Sequence, residues 1–218
     1  MSAELAQAGE QELLGVVAYG ELAAFDRLAE DARLAPELAD RVEMTGLAAV
    51  QYTHFRKAAD RITELGGDIL AVMEPYRRPI DEFHALTRPK TWYEGLLKAY
   101  IGDGLAGDLY REVSDLAGEQ TRALVHEVLA AEVYDEFVVS RVRAGIEADP
   151  TIAGRLALWG RRLVGEAMSQ AQRVLAERPA LTGLLTGAPE GSLAEISRTM
   201  SRLVENHSAR MARLGLSA

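Results

Sequence analysis

Apolar residues along the chain recur three or four positions apart, the spacing that places them on one face of an α-helix. In the first such segment, the shared face carries Leu14, Val17, Phe25 and Leu28. Segments of this kind cover residues 10–31, 36–65, 91–117, 119–148, 150–178 and 192–214. The pattern therefore predicts an all-α protein.

The starts of three predicted helices carry capping signals. These signals are Thr91 with Glu94, Ser192 with Glu195, and Asp149 followed by Pro150. In the first two, a hydroxyl would accept a hydrogen bond from the backbone amide three residues later. In the third, an aspartate N-cap would precede a proline in the first helical turn.

The segments between the helices predict the topology. Residues 66–90 contain three prolines, so we expect a long connection with a short helix over 81–86. Residues 182–191 are predicted to form a turn-rich linker. Long helices with one long connection are typical of a four-helix bundle. We therefore predict a single domain over 1–218: a bundle over 10–148 with one long crossover and two additional C-terminal helices.

Composition and charge narrow the class of protein. The 218 residues include no cysteine, which fits a reducing cytoplasm and excludes thiolate metal sites. The start of the sequence has no basic segment followed by an apolar run, so no signal peptide is expected, and no apolar run approaches membrane-spanning length. The net charge of −9 argues against nucleic-acid binding, because such binding depends largely on positive charges that neutralise phosphates. We expect a cytoplasmic protein without membrane contact.

Four polar residues interrupt the apolar faces of the first three long predicted helices. They are Glu21 on the first, Gln51 and His54 on the second, and Asp103 on the third. A buried carboxylate costs several kcal/mol unless it is paired or binds a cation. We therefore expect the four side chains to share one environment, either a metal site or a metal-free hydrogen-bond network.

Two registers remain open for the fourth helix, over 119–148. The one with more apolar matches points inward Leu124, Val128, Ala131, Tyr134 or Asp135, Val138 and Val142. A shift by one residue turns Glu132 and Asp135 inward, but it also buries Arg143. We favour the first register because it keeps the inner face apolar.

The order of these polar residues resembles that of ferritin-like carboxylate diiron proteins. Those proteins carry a Glu on one helix, Glu-x-x-His on the next, a carboxylate on the third and a second acid-x-x-His on the fourth. Here the matching positions are Glu21, the segment QYTH at 51–54, and Asp103. The segments LLGVVAYGELAAFDRLAEDA, LLKAYIGDGLAGDLYREV and ALWGRRLVGEAMSQAQRV resemble the actinobacterial branch of the methylthio-isopentenyladenosine tRNA hydroxylase (MiaE)-like family. The resemblance covers nearly the whole chain and implies a ferritin-like bundle and non-haem iron oxygenase chemistry.

The resemblance also implies a set of site residues. The candidate metal ligands are Glu21, Gln51, His54 and Asp103, with Glu132 and Asp135 added in the second register. Tyr100 and Tyr134 are the candidate catalytic residues. Gln51 replaces a bridging glutamate, and Ala131 and Tyr134 stand where the second acid and histidine belong in the favoured register. Because a neutral amide is a weak ligand for iron, we expect one iron ion or none, rather than a diiron centre.

The sequence supports two classes of function. One is an iron-dependent hydroxylase with an altered metal site, acting on a small molecule or a modified nucleoside. The other is a metal-deficient relative that binds a ligand or a partner, or that catalyses by acid–base chemistry. Iron storage is disfavoured by the added helices and missing ligands, and a homodimer remains open.

Further residues carry smaller expectations. His84, His126 and His207 are expected to be solvated. Gly102, Gly104 and Gly107 flank Asp103 and would either open a cavity beside it or allow close helix contact.

Overall fold

The computed structural model describes residues 3–129, 133–187 and 192–218, with side chains from 6 to 129 and from 135 onward within those ranges. Its helices are α1 (Ala3–Asp31), α2 (Leu38–Glu64), α3 (Ile69–Leu86), α4 (Trp92–Ser114), α5 (Glu119–Leu129), α6 (Val133–Ala148), α7 (Ile152–Glu177), α8 (Pro179–Thr186) and α9 (Leu193–Arg213). A 3₁₀ turn, Ala32–Leu34, follows α1. These ranges contain no strand, so the predicted all-α class is confirmed.

Helices α1, α2 and α4, together with α5 and α6, surround the centre of the molecule. Helix α1 packs against α2 and α4, and α5 bridges to both α2 and α4. A second layer lies outside this bundle, where α3 contacts α1, α7 contacts α4, and α3 and α7 contact each other. The centre is apolar, and Leu14, Val17, Leu97 and Ile101 are fully buried there.

Both predicted hydroxyl N-caps form. The Thr91 hydroxyl accepts from the Glu94 amide at 3.3 Å, and the Glu94 carboxylate accepts from the Lys90 amide at 2.7 Å. Ser192 accepts from the Glu195 amide at 3.4 Å and starts α9.

The predicted start of the fifth helix is wrong by two residues. Thr151, not Asp149, is the N-cap of α7, and its side chain makes no capping bond. Asp149 instead accepts from both the amide and the hydroxyl of Thr151, at 3.0 and 2.6 Å. The carboxylate therefore forms a local turn ahead of the helix.

The connection predicted over 66–90 is wrong in its main part, because α3 is one continuous helix where only 81–86 was expected to be helical. Pro75 and Pro79 lie inside it, and each removes a backbone donor. Burial compensates for this loss, since α3 packs between α1 and α7 and Tyr76 is completely buried.

The linker predicted over 182–191 is also partly wrong. Its first residues belong to α8, which begins with Pro179 and ends before Gly187 at a positive φ of 68°. Residues 188–191 lie outside the described residues. The predicted fourth helix corresponds to α5 and α6, with residues 130–132 likewise outside the description.

None of the helices in the described ranges combines the length and the apolar character needed to cross a membrane.

Candidate functional site

A small cavity of about 20 Å³ lies among α1, α2, α4 and α5. Its polar wall is formed by Glu21, Gln51, His54 and Asp103. The structure therefore brings together the four residues that interrupt the apolar stripes. The four residues belong to three helices, and they meet because each lies on the inner face of its own helix.

Glu21 and His54 face each other across this cavity. Glu21 Oε2 lies 3.5 Å from His54 Nδ1, and both residues are buried, at 6% and 7% exposure. Glu21 Oε2 nevertheless accepts no hydrogen bond from any described residue. Burial raises the pKa of Glu21 from 4.5 to about 7, against the opposing effect of His54. The carboxyl group can therefore hold or release a proton near neutral pH.

Gln51 and Asp103 form the second pair. The Gln51 amide Nε2 donates to Asp103 Oδ1 at 3.5 Å. Asp103 is exposed, whereas the other three residues of the cluster are buried. It lines both this cavity and a larger one. Protein atoms surround the carboxylate even so, and burial raises the pKa of Asp103 above its ordinary value.

The larger cavity has a volume of about 240 Å³ and a mostly apolar wall. It runs between the central bundle and the outer layer, where α3 and α7 contribute Phe83 and Met168. Glu21, Asp103 and Tyr110 line both cavities. The polar cluster thus lies on the wall of a chamber large enough for an organic molecule.

Tyr110, which lines both cavities, was not singled out as a site residue in the sequence. Its ring lies against Gly20, and its hydroxyl donates to the Val16 carbonyl at 3.3 Å. Burial raises the pKa of Tyr110 above its ordinary value. The sequence did contain an indication of its position, because Tyr110 lies on the same helical face as Asp103.

Tyr100, a predicted catalytic residue, lines the larger cavity. It is 6% exposed, and its hydroxyl makes no hydrogen bond to a described residue. Asp135, a predicted ligand, also lines the larger cavity but not the small one, and it pairs with Arg213 at 2.7 Å. The side chains of Glu132 and Tyr134 lie outside the described residues.

The described parts of α5 and α6 agree with the favoured register. Val128, Val138 and Val142 are buried, whereas Arg143 is exposed. Ala131 lies outside the described residues.

The glycines beside Asp103 have different roles. A Cβ at Gly102 would meet no atom within 4 Å, and Gly102 lines the larger cavity. A Cβ at Gly104 would collide with the Arg210 guanidinium, and one at Gly107 would lie 3.0 Å from Leu129. Gly102 therefore contributes open space, while the other two allow close contact.

A second polar group lies at another part of the larger cavity, where sequence reasoning placed none. Asp31, Lys98 and His84 line this end. Lys98 is 5% exposed and Asp31 is 7% exposed. Lys98 lies three residues before the fully buried Ile101 on α4 and therefore on the same helical face. The criterion that selected Glu21, a polar residue on an apolar face, would have selected Lys98 as well.

Two of the three histidines expected to be solvated are not. His207 is 2% exposed, and neither of its ring nitrogens has a hydrogen-bond partner among the described residues. His84 is half-buried with its Nδ1 enclosed, and burial lowers its pKa to about 3. Both correct the sequence prediction, because α9 and the continuous α3 pack against the bundle. His126 is exposed, as expected.

Comparison with known proteins bears on this arrangement. A family model described as "Ferritin-like domain, actinomycetes" matches residues 6–188. The chain belongs to this ferritin-like family. A similar solved structure is described as "Protein 19 with aldehyde deformylating oxidase activity from Synechococcus", with a TM-score of 0.67 and 20% identity over 98% of this chain and 96% of that chain. At that identity the likeness concerns the fold. A search of curated proteins finds no significant match.

Ferritin-like folds commonly hold two metal ions between carboxylates and histidines of four helices. The described residues of this ferritin-like chain do not fit such a centre. No group of three His, Asp or Glu side chains among them is placed to hold one metal ion. Gln51 moreover presents an amide donor to Asp103, where a diiron site needs a further carboxylate.

Proposed function

We propose that this ferritin-like protein binds an apolar organic molecule inside its helical bundle, without a dinuclear iron centre. One observation carries the proposal: the apolar chamber of about 240 Å³ shares Glu21, Gln51 and Asp103 with the polar cluster. Apolar chambers with a few converging polar groups are the usual form of small-molecule sites. The absence of cysteine supports a reducing compartment such as the cytoplasm.

The polar groups suit acid–base chemistry on the bound molecule. Glu21 has a pKa raised to about 7 and no hydrogen bond to its Oε2 from a described residue. A group with such a pKa can accept or give a proton at neutral pH. The Tyr100 hydroxyl adds a donor without a described partner on the same wall. This acid–base chemistry requires no metal ion.

Filling the chamber tests the proposal. Gly102→Leu places a side chain into open space at the chamber wall. The fluorescent dye 1-anilinonaphthalene-8-sulfonate binds apolar sites through its aromatic rings. Its binding, and its displacement by 1-octanol, should weaken at least about tenfold because the volume is lost. Gly165→Leu is the matched control, since Gly165 also lies inside a helix, on the exposed side of α7. Equal binding by both variants would refute a ligand site in this chamber.

A second candidate function is an iron-dependent hydroxylase or oxidase of the MiaE-like type, acting on a small molecule or a modified nucleoside. It is favoured by the buried Glu21 oxygen that lacks a described partner, and by the neighbour named for aldehyde deformylating oxidase activity. Glu21, His54 and Asp103 would have to close around a single ion. Because the described residues do not hold such a group ready, we rank this candidate second.

Metal content separates the two candidates. Protein produced with iron should contain clearly substoichiometric metal, and its thermal midpoint should not change with a chelator. The triple variant Gln51→Glu, Ala131→Asp, Tyr134→His restores the acid and histidine pattern and should gain iron. One firmly bound iron per chain in the parent protein would favour the hydroxylase instead.

A further inference from the structure

Lys98 is a buried amine without a partner. Only 5% of the residue is exposed, and it lines the larger cavity. No hydrogen bond or ion pair joins its Nζ to a described residue, and the Asp31 carboxylate acts on it through charge alone. A buried lysine usually has an acceptor, because leaving an ammonium group unpaired costs several kcal/mol.

The surroundings of the amine are apolar on one side. Nζ lies 5.8 Å from the centre of the Phe83 ring, and the His84 ring packs 5.2 Å from that of Phe83. Such a contact with an aromatic face favours the cationic form only weakly. Burial therefore lowers the pKa of Lys98 from 10.5 to about 8. In most molecules the amine is still charged at neutral pH.

Most of the other charges near the amine are already paired with one another. Arg27 pairs with Glu30 at 2.9 Å, and Arg88 pairs with the same carboxylate at 2.6 Å. Asp31 is the further carboxylate at this end, and its pKa is raised by burial to about 6. Arg27, Arg33 and Arg88 all pair with Glu30, so Asp31 is the carboxylate that faces Lys98. His84 is neutral because burial lowers its pKa to about 3.

We propose that Lys98 binds the carboxylate of an aliphatic acid whose chain lies in the larger cavity. This inference rests on the proposed ligand-binding function and names its ligand class. The amine supplies the charged donor that the acid needs, and the acid supplies the acceptor that the amine lacks. The apolar wall between Lys98 and the Glu21 cluster receives the chain.

The cavity volume sets the chain length. About 240 Å³ corresponds to roughly eight units of the size of a water molecule. An acid of about eight to ten carbons therefore fits better than a long-chain acid. The far end of such a chain would approach the polar cluster at Glu21 and Asp103, which line the same cavity.

Calorimetric titration with three probes of equal chain length tests the inference: octanoate, 1-octanol and octyltrimethylammonium. We expect the wild-type protein to bind octanoate about tenfold or more tightly than 1-octanol, and the cationic probe most weakly. Lys98→Met should remove the preference for octanoate and retain the binding of 1-octanol. Lys90→Met is the matched control, since Lys90 is exposed, and it should keep the preference.

The outcomes separate this inference from the function on which it rests. If 1-octanol and octanoate bind wild type equally, or if Lys98→Met keeps the preference, the role of Lys98 is refuted while the chamber remains a ligand site. If none of the probes binds, both proposals fail. Lys98→Gln serves as a second variant should the methionine variant not fold, with circular dichroism as the check.

Discussion

The side-chain amide of Gln51 on α2 donates to the carboxylate of Asp103 on α4, with 3.5 Å between Nε2 and Oδ1. The contact joins two helices of the bundle at the position where the fold family commonly holds metal ions. It also explains how Asp103 is tolerated next to Glu21, because the amide gives one of the two carboxylates a neutral donor.

Replacing Gln51 by glutamate should destabilise the protein at neutral pH. The new carboxylate would face Asp103 without a counter-charge, so one of the two must stay protonated. We expect a loss of about 2 kcal/mol in the free energy of unfolding at pH 7 and a smaller loss at pH 5. Urea denaturation at both pH values measures it. Gln51→Met lacks the added charge and should show no such pH dependence, and equal stability of Gln51→Glu and wild type would contradict the contact.

Glu21 should make the stability depend on pH in a defined direction. Its pKa is raised in the folded protein from 4.5 to about 7, so between these values the folded state binds more protons than the unfolded state. The free energy of unfolding of wild type relative to Glu21→Gln should therefore fall as pH rises from 4.5 to 7, by about 3 kcal/mol, and level off above. The exposed Glu43 provides the control, and Glu43→Gln should run parallel to wild type.

Lys98→Met should stabilise the ligand-free protein at pH 7, by about 3 kcal/mol, because the buried amine is replaced by an apolar chain of similar length. Since the folded pKa of Lys98 is lowered to about 8 from 10.5, wild type should regain this difference as pH rises from 8 to 10.5. Urea denaturation across that range measures the change. A difference that stays constant up to pH 10.5 would mean that the amine is solvated.

The effects on stability of substitutions at Tyr110 and Gly20 should depend on each other through one atom, the Tyr110 hydroxyl oxygen. A Cβ at Gly20 would collide with the Tyr110 hydroxyl oxygen, while the next nearest atom, Cζ, would lie at an ordinary 3.6 Å. Gly20→Ala should therefore cost about 2 kcal/mol in wild type and nearly nothing in the Tyr110→Phe background. A double-mutant cycle by thermal or urea unfolding gives the coupling. Additive effects would show that the ring does not rest on Gly20.

The polar cluster could be predicted from the sequence because it follows from local spacing. Glu21, Gln51, His54 and Asp103 each interrupt an apolar stripe, and helical periodicity alone turns them inward. The same rule applied to Lys98, whose face also carries Ile101, but the ammonium group of a helical lysine usually reaches water. Only its 5% exposure shows that it is not.

The course of α3 could not be predicted in the same way. Three prolines argue for a loop, and local rules count each as a break. The segment is helical because Tyr76 is buried and its hydroxyl donates to Glu12 of α1. That compensation comes from residues more than sixty positions away, and no window along the sequence contains it.

By itself, then, the sequence determined most of the long helices and the inward position of the Glu21 cluster, since both depend on interactions within a few positions of the chain. The tertiary structure decided how far apart those inward residues lie. The separation of Glu21 from His54, the space beside Gly102 and the lack of an acceptor for Lys98 all depend on how closely the helices approach one another. These distances are set by the sum of many side-chain volumes across the interior, so they exist only once the whole bundle has formed.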